Sequence, residues 1–265
     1  MPFLTAGDLT VHHALSGPEG APVVVLSHSL GGNLSLWDPQ APALAERFRV
    51  LRYDTRGHGR TAVTAGPYSL ARLGGDALAL LDALGVARAH FCGLSLGGLV
   101  GMWLGMNAPD RIERLVLCNT AGRVGTAESW NARMEAVRRD GMEGITSAVM
   151  ERWFSPGFRE RSPAAVAQAR AMLASTSPEG YVACCEALRD ADVGGAVGRI
   201  RAPTLVIAGS LDLATPPAEG RRLADAIAGA RYRELPAAHL SNLEAEDAFT
   251  SELLAFLDGG GSPPA

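Results

Sequence analysis

The chain has 265 residues, 47% of them apolar and 20% charged, enough material for one large domain or for a core carrying an insertion. Its formal net charge of −4 argues against nucleic acid or an anionic membrane surface as a partner. All 24 basic residues are arginine, which excludes a Schiff-base or lysine-base mechanism.

From the N-terminus, residues 9–15 alternate in polarity and are expected to form an antiparallel strand entering a sheet. Short apolar or β-branched runs then predict strands at 23–26, 48–53, 90–92, 115–117, 204–207 and 231–235. Helical patterns fall between them, at roughly 70–84, 96–107, 218–228 and 245–257. Strands alternating with helices of this length imply an α/β class with a mostly parallel central sheet covered on both faces. From 122 to 198 the pattern changes, with no strand signal and helical segments near 127–139, 141–153, 163–174 and 178–188 broken by Gly and Pro. The expectation is a helical cap at 122–198, inserted between the two parts of one core at 1–121 and 199–265. The tail Gly259-Gly260-Gly261-Ser262-Pro263-Pro264 is expected to be disordered.

No charged segment followed by an apolar core opens the chain, and no apolar stretch approaches the 18 residues that would span a bilayer. Cys92, Cys118, Cys184 and Cys185 have no metal-ligand spacing, and two adjacent cysteines are a poor disulfide framework. These features predict a cytoplasmic protein with reduced thiols that needs neither a metal nor a cofactor.

The most informative segment is His90-Phe91-Cys92-Gly93-Leu94-Ser95-Leu96-Gly97-Gly98-Leu99-Val100. A short apolar run passes through Gly-x-Ser-x-Gly into a helical pattern, the context of a nucleophile elbow with Ser95 at its apex. A serine in that turn has strained backbone angles, so the positions two before and two after it must lack bulk, as Gly93 and Gly97 do. A serine hydroxyl needs a base, and His239 is the one histidine that follows Ser95 in the chain. It lies just past the last predicted strand, where active-site groups of such sheets collect. Asp212 follows the strand before that and is the expected acid. Asp190 and Asp192 compete with it but lack a preceding strand, and Asp54 precedes the nucleophile, so Asp54 is expected to anchor its own loop with Arg56 or His58. A tetrahedral oxyanion needs two backbone N–H donors, each contributing about 3–4 kcal/mol. Leu96 is the expected first donor. The second comes from Ser27-His28-Ser29-Leu30-Gly31-Gly32, with Leu30 preferred over Ser29.

With these segments in hand, the chain resembles the α/β-hydrolases, and more closely the 3-oxoadipate enol-lactonases of aromatic-compound degradation (the β-ketoadipate pathway). The resemblance is carried by His28-Ser29-Leu30-Gly31-Gly32-Asn33, Tyr53-Asp54-Thr55-Arg56-Gly57-His58-Gly59, the elbow, Leu117-Cys118-Asn119-Thr120-Ala121 and Ala237-Ala238-His239-Leu240-Ser241-Asn242. In the cap it is carried by Glu151-Arg152-Trp153-Phe154 and Gly180-Tyr181-Val182-Ala183-Cys184-Cys185. It implies an α/β-hydrolase fold and hydrolysis of a small enol-lactone bearing a carboxylate. Such an anion needs a local cation, and Arg133 on the first cap helix is favoured, because it shares a helix face with Trp130 three residues earlier. Trp130 and Trp153 are expected as apolar walls. The competing readings are a carboxylesterase, a carbon–carbon bond hydrolase, a cofactor-free perhydrolase, and a non-enzymatic receptor on the same scaffold.

Overall fold

The structure is a computed structural model, and it describes residues 2–259. The tail from Gly260 onward, where disorder was expected, lies outside the described residues. Eight strands form one sheet: β1 (Phe3–Ala6), β2 (Leu9–Ser16), β3 (Val23–Ser27), β4 (Arg49–Tyr53), β5 (Ala89–Leu94), β6 (Ile112–Cys118), β7 (Thr204–Gly209) and β8 (Arg231–Leu235). Their spatial order is β1-β2-β4-β3-β5-β6-β7-β8. β1 and β2 are antiparallel, and all pairings from β4 to β8 are parallel.

The helices of the sheet's flanks are α1 (Ala41–Ala45), α2 (Leu70–Ala83) and α3 (Leu96–Asn107). Five more, α4 (Ala127–Asp140), α5 (Glu143–Trp153), α6 (Pro156–Arg161), α7 (Pro163–Ala174) and α8 (Pro178–Asp190), follow one another between β6 and β7. The chain then closes with α9 (Pro217–Ala226), α10 (Ser241–Glu244) and α11 (Glu246–Leu257). Local chemistry sets these limits. Ser69 and Ser177 accept a backbone N–H at the starts of α2 and α8, and Thr126 and Ser129 form a reciprocal capping box at the start of α4.

β5 and β7 are buried at every position, which is why their sequences are mostly apolar rather than alternating. Register brings the strand ends together. Ser27 pairs with Tyr53 and Gly93, Leu94 with Cys118, Cys118 with Ile207, and Gly209 with Leu235. The loops after β3, β5, β7 and β8 therefore leave the sheet along one edge, and Leu30, Ser95, Asp212 and His239 sit on them.

Candidate active site

Ser95 stands between β5 and α3 with φ 57 and ψ −108, a left-handed conformation that a non-glycine residue seldom adopts. Two backbone bonds hold it there: Ser95 N–H donates to Cys118 O (2.9 Å), and Thr120 Oγ1 donates to Ser95 O (2.9 Å). The glycine requirement is literal. A Cβ on Gly93 would lie 2.0 Å from Gly97 O, and one on Gly97 would lie 2.3 Å from Ser27 O. The Ser95 hydroxyl makes no capping bond to α3 and faces a cavity of about 630 Å³.

His239 lines the same cavity. Its Nδ1 donates to Asp212 Oδ2 at 2.8 Å, which leaves Nε2 as the ring's basic nitrogen. Asp212 is buried, yet its carboxylate is the acceptor of four further bonds. Ala214 N–H and Thr215 N–H reach Oδ1 (2.8 and 2.9 Å); Thr215 Oγ1 and Asn119 Nδ2 reach Oδ2 (2.7 and 3.0 Å). Burial pushes this carboxyl up, but His239 beside it and the bonds from His239, Thr215 and Asn119 outweigh that and bring it to about 2. Asp190 and Asp192 instead form ion pairs with Arg189 (2.7 Å) and Arg123 (3.3 Å), with carboxylates 64% and 57% exposed.

The turn after β3 supplies the opposite wall, where Ser29 and Leu30 both line the cavity. Leu96, as the first residue of α3, has a backbone N–H with no intrahelical acceptor. The turn is braced by two buried imidazoles. His28 Nε2 accepts Thr55 N–H (2.9 Å), so its Nδ1 donates to Ser29 O (2.7 Å). His58 Nε2 accepts Gly31 N–H (3.0 Å), and its Nδ1 donates to Arg56 O (3.3 Å). Both must be neutral to accept these bonds. Burial holds both below the ordinary histidine value, His58 down to about 3.

The Asp54 loop differs from expectation. Asp54 accepts from His12 Nδ1 (2.6 Å), Leu34 N–H (2.7 Å) and Arg60 N–H (2.8 Å), while Arg56 turns away to a bidentate pair with Asp76 (2.7 and 2.5 Å). β2 lies beside β4, so His12 reaches Asp54 across the sheet, a proximity that local sequence does not carry.

Helices α4 and α5 form most of the remaining cavity wall, with Tyr181 and Leu188 of α8 beside them. Trp130 and Trp153 are buried in it, with Trp130 Nε1 donating to Val124 O (2.6 Å), and the Arg133 guanidinium lies over the Trp130 ring at 5.1 Å. Arg152 and Tyr181 line it too, and sequence reasoning had assigned neither a role. Asn119 was likewise missed. Its Nδ2 bonds Asp212 and Ala238 O (3.1 Å), and its Oδ1 accepts from Ser241 Oγ (2.5 Å). A separate groove of about 650 Å³, bordered by Gly66, Pro67, Arg138 and Glu186, contains none of these groups. Among the described residues no acid, thiol or imidazole cluster could hold a metal ion, and no helix is long and apolar enough to cross a membrane.

A mostly parallel sheet with a strained serine after β5 and a buried Asp–His pair after β7 and β8 defines a class, the α/β-hydrolases. The chain belongs to that family, whose alpha/beta hydrolase fold model matches residues 22–246, and within it to the 3-oxoadipate enol-lactonases. It is 42% identical to 3-oxoadipate enol-lactonase 2 of Acinetobacter baylyi over 96% of this chain and 95% of that one. With 3-oxoadipate enol-lactonase 1 of the same organism the identity is 38%, over 94% and 93%. The structure is similar to that of the enol-lactonase from Burkholderia xenovorans LB400, with TM-score 0.96 and 48% identity over 97% of this chain and all (100%) of that one. The protein is therefore a hydrolase.

Proposed function

We propose that the chain opens 3-oxoadipate enol-lactone, a small enol-lactone bearing a carboxylate, to 3-oxoadipate through an acyl-enzyme on Ser95. The observation that carries this reading is a single cavity lined by Ser95, His239, the Leu30 turn and Arg133, with Asp212 bonded to His239, in a chain similar to enol-lactonases over nearly its full length. His239 Nε2 takes the Ser95 proton as Oγ attacks the ring carbonyl, and Asp212 fixes the ring tautomer and stabilises the imidazolium. The N–H groups of Leu30 and Leu96 donate to the oxyanion. Collapse expels the ring oxygen as an enolate, which takes the proton from His239 and becomes a ketone. Water, deprotonated by His239, then attacks the ester carbonyl and releases the new carboxylate and the serine.

In this reading residues 122–198 act as a cap over the core formed by 1–121 and 199–265. Arg133 binds the substrate carboxylate, and Trp130 and Trp153 are apolar walls. The enzyme would serve the degradation of aromatic compounds. The test compares kcat/KM on the enol-lactone, p-nitrophenyl acetate and a vinylogous diketone. The lactone is expected to lead, and Ser95→Ala should lower its kcat by about a thousandfold or more with the fold retained. A lead for the ester or the diketone overturns the substrate, and an active Ser95→Ala overturns the mechanism.

A further inference from the structure

Arg133 is not the only cation in the cavity wall. Arg152, in the last turn of α5, lines the same cavity and sits next to Trp153. Four other arginines of the helical segment are matched by carboxylates: Arg123 by Asp192 (3.3 Å), Arg138 by Glu186 (3.6 Å), Arg170 by Glu143 (3.1 Å) and Arg189 by Asp190 (2.7 Å). Among the described residues neither Arg133 nor Arg152 has an ion-pair partner. They act on each other instead: burial, then the charge of Arg133, lowers the pKa of Arg152 from the ordinary guanidinium value. The phenol of Tyr181 lies against Arg133 and is fully buried; burial pushes its pKa up, so it stays a neutral O–H donor.

Two like charges on one partly apolar wall repel, and among the described residues no carboxylate pairs with either. A bound anion offsets that repulsion. A carboxylate offers about four lone-pair positions, more than one guanidinium fork fills, and a second fork or a phenol completes the set. We propose that Arg152 is a second guanidinium for the substrate carboxylate, forming with Arg133 and the Tyr181 hydroxyl a three-sided anion clamp that makes Arg152 a specificity-determining residue. The ligand class is a small lactone carrying a carboxylate, favoured over an uncharged lactone of the same ring. The inference rests on the substrate reading above.

The experiment uses a matched pair, the carboxylate enol-lactone and α-angelica lactone, which has a methyl group where the first has a carboxymethyl group. The readout is the ratio of kcat/KM values for the two. Arg152→Gln should lower that ratio at least tenfold, through KM for the anionic lactone, and Arg152→Lys should recover part of it. General damage to the site would lower both values together and leave the ratio unchanged, which overturns the proposal, as does a wild-type ratio near one. A second readout separates the clamp from the substrate reading, namely inhibition of p-nitrophenyl acetate hydrolysis by adipate. If neither lactone is turned over but adipate inhibits in an Arg152-dependent way, the substrate falls and the clamp stands. If adipate inhibits wild type and Arg152→Gln equally, the clamp falls whatever the substrate.

Discussion

Asn119 holds Asp212 and the loop that carries His239 in one frame. It lies just past the end of β6 at φ 45, in the left-handed region, and its N–H donates to Ile207 O (2.8 Å) on β7. From there its amide reaches Asp212, Ala238 O and Ser241 Oγ, so one side chain spans the loops that carry Asp212 and His239. Asn119→Ala removes all three bonds and leaves a residue that tolerates φ above zero less well. A displacement of the acid–base pair by a fraction of an ångström should then lower kcat by about 10–100-fold while KM moves little, a split that steady-state kinetics on any accepted ester or lactone reads directly. Gly93→Ala tests the elbow in another way. Its Cβ would meet the Gly97 backbone, which has no freedom to yield, so a loss of about 3 kcal/mol or more is expected in urea unfolding. A Gly93→Ala variant of wild-type stability would remove the steric account of the motif.

At the level of elements, what was legible in the sequence depended on length and periodicity. β3, β5, β6 and β7 each contain a buried apolar run, and α2, α3, α4 and α8 are long enough for a helical period to accumulate. β1, with four residues mostly on the surface, and α1, α6 and α10, with four to six each, offer too few turns for a signal. The placement of Ser95, Asp212 and His239 at strand ends was readable because each directly follows a strand or its turn. Arg152, Asn119 and the braces from His28 and His58 depend on which elements become neighbours, and a single chain does not spell that out. Glu244, in α10, is another such residue. Its buried carboxylate accepts from Ser155 N–H (3.1 Å) and Ser155 Oγ at the start of α6, and from Ala238 N–H (3.1 Å) next to His239. Leu240 N–H donates to Trp153 O (3.0 Å) alongside it. The helical segment is thus pinned to the histidine loop. Glu244→Ala strands three buried donors at about 1–3 kcal/mol each, so a stability loss of about 3–5 kcal/mol is expected in thermal or urea unfolding. A loss below about 1 kcal/mol would mean that the loop is held by its backbone alone.

The whole molecule carries a set of histidines that fold in the neutral form. Burial lowers the pKa of His13, His28, His58 and His90, with His58 falling to about 3. In the unfolded chain each returns to about 6.5. Below that pH the unfolded state binds protons that the folded state refuses, so unfolding becomes more favourable as pH falls. Each imidazole that stays neutral contributes about 1.4 kcal/mol per pH unit across its window, and four acting together make a steep acid limb. Asp212 adds to it later: with its folded value near 2 against 3.8, its contribution is complete above 3.8 and is lost as pH falls from there toward 2. The expected profile of urea midpoint against pH is flat above about pH 7, falls from about 6.5, and steepens again below about 4. In the folded protein His58 takes up its proton only near pH 3, at the foot of this limb, where the acceptor of Gly31 N–H becomes a donor and the turn that bears Leu30 is released. His58→Gln, which keeps an acceptor but does not titrate, should therefore reduce the slope between pH 6 and 4 even though it is less stable at pH 7; an unchanged slope would place the acid sensitivity in the other three histidines.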